Sequence, residues 1–206
     1  MAGPAVEIIV NEQQYAELAK LLRDVPGGID KASYQAVNKT ARWVNTRVLK
    51  AITDQLTIKR KDIAGKRHRF GGVTVHRASG KHPVAHVRVT GKRIPVYRFR
   101  PRPTLPQPYE PLPKRGLTYK ICKQGGRRRI SDAFVARMRS GHMGVFRRAK
   151  RTRLPIMELY GPSIPHVAST SPELKRAFNI DATGQLHKNL VSQVDYLLAK
   201  HKARNG

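Results

Sequence analysis

The stretch IDKASYQAVNKTARWVNTRVLKAI, residues 29–52, decides how the rest of this chain is read. Its apolar residues fall at Ile29, Ala32, Ala36, Val37, Ala41, Val44, Val48 and Ile52. Those steps of three and four draw one continuous stripe along a helix of 3.6 residues per turn. Lys39, Arg42 and Lys50 fall away from the stripe, on a side that faces solvent or a partner. Trp43 sits at its edge, either as core packing or as an anchor for another protein.

Working outward, Glu12 to Asp24 reads as a shorter helix ended by Pro26-Gly27-Gly28, so the first third reads as helical. At the other end, Ser171-Pro172-Glu173 has the order of cap, first-turn proline and first-turn acid, opening a helix to about Phe178. A last helix, about Gln185 to Lys202, places Leu186, Leu190, Val194, Leu197 and Leu198 on one face.

Between the helices the period changes to two. Val84 to Thr90 alternates and turns at Gly91-Lys92 into Arg93 to Phe99. Leu117 to Ile121 turns through Gln124-Gly125-Gly126 into Arg127 to Ile130, and Phe134 to Met138 turns through residues 140–144 into Val145 to Arg148. Each is a hairpin signal. The expectation is an α+β fold, with an antiparallel hairpin sheet packed against the long N-terminal helix and the C-terminal helix. The 206 residues suit one domain: a helical region 1–58, a β-rich region 59–166 and C-terminal helices 167–206. Pro101 to Pro113 holds six prolines and must be an extended arm, reaching across a neighbour or simply looping.

Charge is the dominant feature of composition, at +28 overall. Residues 59–153 hold 28 basic and 3 acidic side chains, while 1–58 hold 7 and 6 and 154–206 hold 6 and 4. A polycation of this density seeks a polyanion, either DNA or an acidic protein surface. The densest clusters are Arg127-Arg128-Arg129 and the group Arg147, Arg148, Lys150, Arg151 and Arg153, which suit phosphates without base readout. A solvated charged face is the plain alternative. A membrane surface is the weaker candidate, because no long basic amphipathic helix lies inside the polycationic stretch. No segment approaches the roughly 20 apolar residues of a span, so no membrane partner is expected. Met1 to Val10 lacks a basic leader, and the lone Cys122 fits a reducing compartment, so manufacture in a cytoplasm is expected.

Catalysis finds little support. Metal-dependent nucleases need clustered acids, and the basic segment offers only Asp62, Glu110 and Asp132, far apart. His82 and His86 share a spacing that puts both on one face of a strand, but without a Cys or acidic ligand they read as polar strand positions. Cys122 reads as a buried small residue. No phosphate-binding glycine loop is present, and no cofactor, metal or catalytic residue is expected.

One block is more specific. Residues 134–148 read FVARMRSGHMGVFRR, followed by Arg153-Leu154-Pro155-Ile156 and Leu159-Tyr160-Gly161-Pro162-Ser163-Ile164-Pro165. Together with Ala36-Val37-Asn38-Lys39-Thr40-Ala41, this resembles the prophage minor tail protein Z family from the long helix to about residue 166. The resemblance implies a virion protein: a tail-completion component at the head-proximal end of a phage tail, among other tail and neck proteins. It further implies a homo-oligomeric ring, hexameric by analogy with a tail tube. In such a ring the two arginine clusters are candidates for non-specific contact with double-stranded DNA. Trp43, Tyr160, Pro162 and Pro165 are candidates for subunit contacts, the last three in a turn over Leu159 to Pro165. The competing reading is a free, non-specific nucleic-acid-binding protein.

Overall fold

The computed structural model describes residues 2–63, 71–106, 116–150, 152–178 and 182–205. In chain order the elements are β1 (Ala2–Ile9), α1 (Glu12–Leu21), α2 (Gly28–Gln55), β2 (Gly71–His76), β3 (Val84–Gly91), β4 (Arg93–Pro95), β5 (Leu117–Tyr119) and β6 (Arg128–Ile130). They continue with β7 (Ala133–Arg137), β8 (Met143–Arg148), β9 (Ile156–Glu158), β10 (Tyr160–Ser163), α3 (Ile164–Thr170), α4 (Pro172–Phe178) and α5 (Thr183–Asn205). The fold is α+β, with the long N-terminal helix and the C-terminal helix expected from their periodicity.

Helix α2 is the centre of the molecule. Ala32, Ala36, Val37, Ala41, Val44, Val48 and Ile52 are all completely buried, and of the stripe only Ile29 remains half-buried. One side of α2 faces the sheet β1-β3-β2, and another receives α5, whose Leu186, Leu190, Val194 and Leu197 are buried. Each fully buried Val, Leu or Ile contributes roughly 1.5–3 kcal/mol relative to exposure, so this seam dominates stability. Two polar residues fix its register. Asn189 of α5 donates to Thr40 Oγ1 at 2.9 Å in a buried site. The Asn38 carboxamide donates to Ala78 O and accepts from Ala78 N–H, both at 2.9 Å, tying α2 to the β2–β3 connection. In α1, Asn11 and Gln14 form a reciprocal capping box, worth about 1 kcal/mol.

Several local expectations need correction. Ala2–Ile9 is a strand, not part of a helical third; it pairs antiparallel with β3, Val6 opposite Val87 and Ile8 opposite Ala85. Val84 to Thr90 does not form a hairpin with Arg93 to Phe99. Both edges of β3 are already taken by β1 and β2, so β4 pairs with β10 instead. Leu159 to Pro165 is not a free turn. Most of it is β10, and Ser163 then caps α3 through a bond from His166 N–H. Cys122 is exposed, not buried, although its backbone bridges the buried Leu56 that follows α2. His82 lies in a turn closed by reciprocal bonds with Ser79, ahead of the strand that carries His86. The two downstream hairpins are as expected, with Leu117 opposite Ile130 and Val135 opposite Val145.

Candidate functional site: a cationic cleft

The site grows from three segments that the chain brings together from far apart. The end of α2 and the β5–β6 ribbon come first. Thr57 N–H donates to Ile121 O at 2.9 Å, its hydroxyl donates to Lys120 O, and Lys123 N–H donates to Gln55 O at 2.7 Å. This stitching sets Lys59 and Lys61 beside Lys120 and Lys123.

The third segment is the strap from Arg98 to Thr104, which includes the start of the proline-rich arm. Its residues alternate: Phe99 and Pro101 are buried, while Arg98, Arg100 and Arg102 are exposed. Phe99 is the plug, completely buried in the main core. Its ring fits because position 161 is glycine: a Cβ there would lie 2.6 Å from Phe99 Cε2. The strap is bonded to β5 through Lys120 N–H to Phe99 O at 2.9 Å and a reciprocal Arg102–Thr118 pair at 2.7 and 2.9 Å. The rest of the arm to Pro113, from residue 107 on, lies outside the described residues.

Between these segments lies an open cleft of about 840 Å³. Lys59 and Lys61 enter from one wall, Arg98, Arg100 and Arg102 from the strap, and Lys120, Lys123 and Arg127 from the β5–β6 ribbon. Among the described residues, the sole carboxylate of the lining is Asp62, which pairs with Arg98 at 3.2 Å. Eight cationic residues around one acid make a concave, solvent-open space of strongly positive charge.

The residues singled out from sequence are divided by this geometry. Arg127 lines the cleft, but its guanidinium is already engaged. Nε donates to Thr118 Oγ1 at 3.0 Å, and Nη2 donates to Arg100 O at 2.7 Å and to Thr118 O at 3.0 Å. Burial first, and the charge of Arg102 second, pull this guanidinium below its ordinary pKa; it stays charged at any working pH. Arg128 faces a second groove of about 570 Å³, together with Tyr160, Pro162, Lys92 and Arg93. Arg129 is exposed on β6 and lines neither cavity. Arg147, Lys150 and Arg153 are exposed and Arg148 is half-buried; all four lie on or after β8, away from the cleft. Arg151 lies outside the described residues.

Trp43 is half-buried against the main core, with the Arg47 guanidinium 5.0 Å from its ring centroid. Tyr160 is 49% exposed and donates its hydroxyl to Glu158 Oε2 at 2.9 Å. The other oxygen of Glu158 is 2.9 Å from His142 Nε2, and Gly144 leaves room for that pair, since a Cβ there would meet Glu158 Oε1 at 2.9 Å. Pro165 is buried at the first turn of α3. The arginines of the strap were not singled out from sequence. Their signal was an Arg-x-Arg-x-Arg spacing from Arg98 to Arg102. The backbone there is a 3-10 turn ending at Arg98 followed by a left-handed residue at Arg100, so strand alternation alone does not bring the three to the cleft. Among the described residues, no group of three or more His, Cys, Asp or Glu side chains is placed to hold a metal ion, and no helix is long and apolar enough to cross a membrane.

Fold and cleft together define an α+β protein with a central helix packed on a sheet and a markedly cationic cavity. Its family follows from sequence: the model of prophage minor tail protein Z (GPZ) matches residues 12–202, and the chain belongs to that family. It is thus related to phage tail components, with a structural role in a virion tail. Comparison with curated proteins and with solved structures returns no match.

Proposed function

We propose that this chain completes the tail at its head-proximal end, as a ring of copies next to the neck, and acts by binding rather than by catalysis. The observation that carries this reading is the cationic cleft. Eight Lys and Arg side chains converge there with a single carboxylate, an arrangement that repels itself unless a polyanion neutralises it. Genome DNA is the polyanion that a tail ring meets, and duplex DNA carries about one charge per 1.7 Å of axis. A ring, hexameric if it follows the tail tube, repeats the cleft around the lumen and holds the duplex by its phosphates, without base readout. The second groove, with Tyr160, Pro162 and Arg128, suits the neighbouring protein. The chain serves as one α+β domain, because Tyr119 packs against both the main core and the smaller cluster around Val135 and Val145.

Two measurements test the proposal. Mass spectrometry of purified particles, with a symmetric reconstruction of the neck, is expected to find the chain as a ring there; its absence from particles would favour the free nucleic-acid-binding reading. Binding of a mixed-sequence DNA duplex is expected to weaken steeply with salt. Replacing Lys59, Lys61, Lys120 and Lys123 by Gln should lower the slope of log K against log salt by about 0.9 for each phosphate that is no longer neutralised. Tighter binding of polyglutamate than of DNA would assign the cleft to an acidic protein instead.

A further inference from the structure

The strap meets β5 through an irregular ladder. Arg102 and Thr118 exchange both backbone bonds, so in a regular antiparallel pair Lys120 N–H would donate to Arg100 O. It donates to Phe99 O instead. Two strap residues, Arg100 and Pro101, therefore stand against the single residue Tyr119, which is a β-bulge. Arg100 has φ +47°, in the left-handed region where glycine is favoured at such a position. The shift leaves the Arg100 carbonyl without its ladder donor, and Arg127 Nη2 supplies the replacement at 2.7 Å. The same nitrogen reaches Thr118 O, and Nε reaches Thr118 Oγ1, so one planar group spans both sides of the bulge.

Resting on the polyanion reading of the cleft, we propose that Arg127 is a positioning residue that closes this bulge, and that Arg100, held out by it, is a phosphate-contacting residue. Two observations converge on that division of labour. The Arg127 donors Nε and Nη2 are spent on the protein's own oxygens. Arg100 occupies a backbone conformation that a glycine would adopt without strain, so its side chain is kept against the local preference. The strap arginines then face the cleft as a row, with Phe99 and Pro101 locking the opposite side.

The test uses the full chain, with amide hydrogen exchange and binding of a mixed-sequence DNA duplex as separate readouts. Arg127→Lys keeps the charge and loses the fork. It is expected to speed exchange at the Arg102, Thr118 and Lys120 amides and to weaken DNA binding although net charge is unchanged. Thr118→Val, which removes one of the three acceptors, should move both readouts the same way by less. Arg100→Gly should leave exchange unchanged or slower and hold or raise the unfolding temperature. It should also lower the DNA salt slope by about 1, as for one phosphate contact. Arg137→Gln, an exposed position on β7, serves as the charge control and should move neither exchange at the bulge nor binding by as much as Arg100→Gly. If Arg127→Lys leaves exchange at the bulge unchanged, the positioning role is overturned, whatever DNA does. If Arg100→Gly binds DNA like the parent, the contact role is overturned. Failure of the parent chain to bind DNA, with faster exchange in Arg127→Lys, would sink the DNA reading and the Arg100 contact but uphold the clamp.

Discussion

Helix α2 and the β5–β6 ribbon hold their places by different means. Along α2, seven apolar side chains of one stripe are completely buried. The buried hydroxyls of Ser33 and Thr40 are bonded to Ile29 O and to Asn189, and the half-buried Asn38 is bonded to Ala78. The ribbon buries little beyond Leu117, and it carries Lys120, Lys123 and the three arginines of residues 127–129 in a short span. What positions it is backbone bonding to the end of α2 and to the strap, together with the Arg127 fork. Stability and charge display are thus assigned to separate parts of the molecule. Cations on the ribbon can accumulate because the core does not depend on them.

This contrast can be broken by measurement. Ile52→Ala, at a completely buried position between layers, is expected to cost about 2–5 kcal/mol in denaturant unfolding. Leu117→Ala belongs to the smaller cluster, where five of the described residues are buried and the surroundings can relax. Its cost should lie near the low end for such truncations, about 2 kcal/mol. A penalty as large as that of Ile52→Ala would mean that the ribbon is core after all. Thr40→Val leaves the Asn189 amide of α5 without its buried acceptor and should cost about 1–2 kcal/mol. Adding Asn189→Leu should recover most of that loss, and a double-mutant cycle without coupling would discount the bond.

The smallest effect is expected at Glu173, in the first turn of α4. A hydrogen bond from the Ser171 hydroxyl, with its own backbone next and Arg176 adding a lesser pull, holds its carboxyl below the usual range. A depressed carboxylate stabilises the fold above its unfolded pKa and loses that contribution as pH falls through the folded value. Thermal scans of Glu173→Gln should therefore differ slightly from the parent at neutral pH and converge with it in acid. The side chain is exposed, so a large shift would contradict this picture.

The family motifs acquire physical content from the same contrast. In Ala36-Val37-Asn38-Lys39-Thr40-Ala41, the apolar members face the core and Asn38 and Thr40 are its polar fasteners. In the Phe134 to Pro165 block, Gly144 and Gly161 are required by the Phe146 and Phe99 rings and by Glu158. Most of these motif positions support the scaffold, whereas the cleft draws on residues that lie outside both motifs.

Local signals carried a good part of the fold. The stripe of α2, the face of α5, the Ser171-Pro172-Glu173 helix start and the β5–β6 and β7–β8 hairpins could all be read, because each depends on residues within a few turns of one another. Strand β1 and the β4–β10 pair escaped, since their partners lie about eighty and sixty-five residues away and nothing in a short window names them. The site was legible as a quantity of charge, and only in part as a place.

By itself, then, the sequence determined that residues 59–153 are a polycation, that two amphipathic helices flank it, and that the chain resembles a phage tail family. The tertiary structure decided which cations converge. It set Lys59 and Lys61, the strap arginines Arg98, Arg100 and Arg102, and Lys120 and Lys123 around one cleft and turned Arg128 towards another. It left Arg147 and Arg148 on β8 and Lys150 and Arg153 in the segment after it. The physical reason is that charge is a property of each side chain, whereas convergence depends on backbone bonds between segments about sixty residues apart, such as Thr57 to Ile121. The same bonds turned Arg127 from one of three equivalent cations into the group that holds the strap.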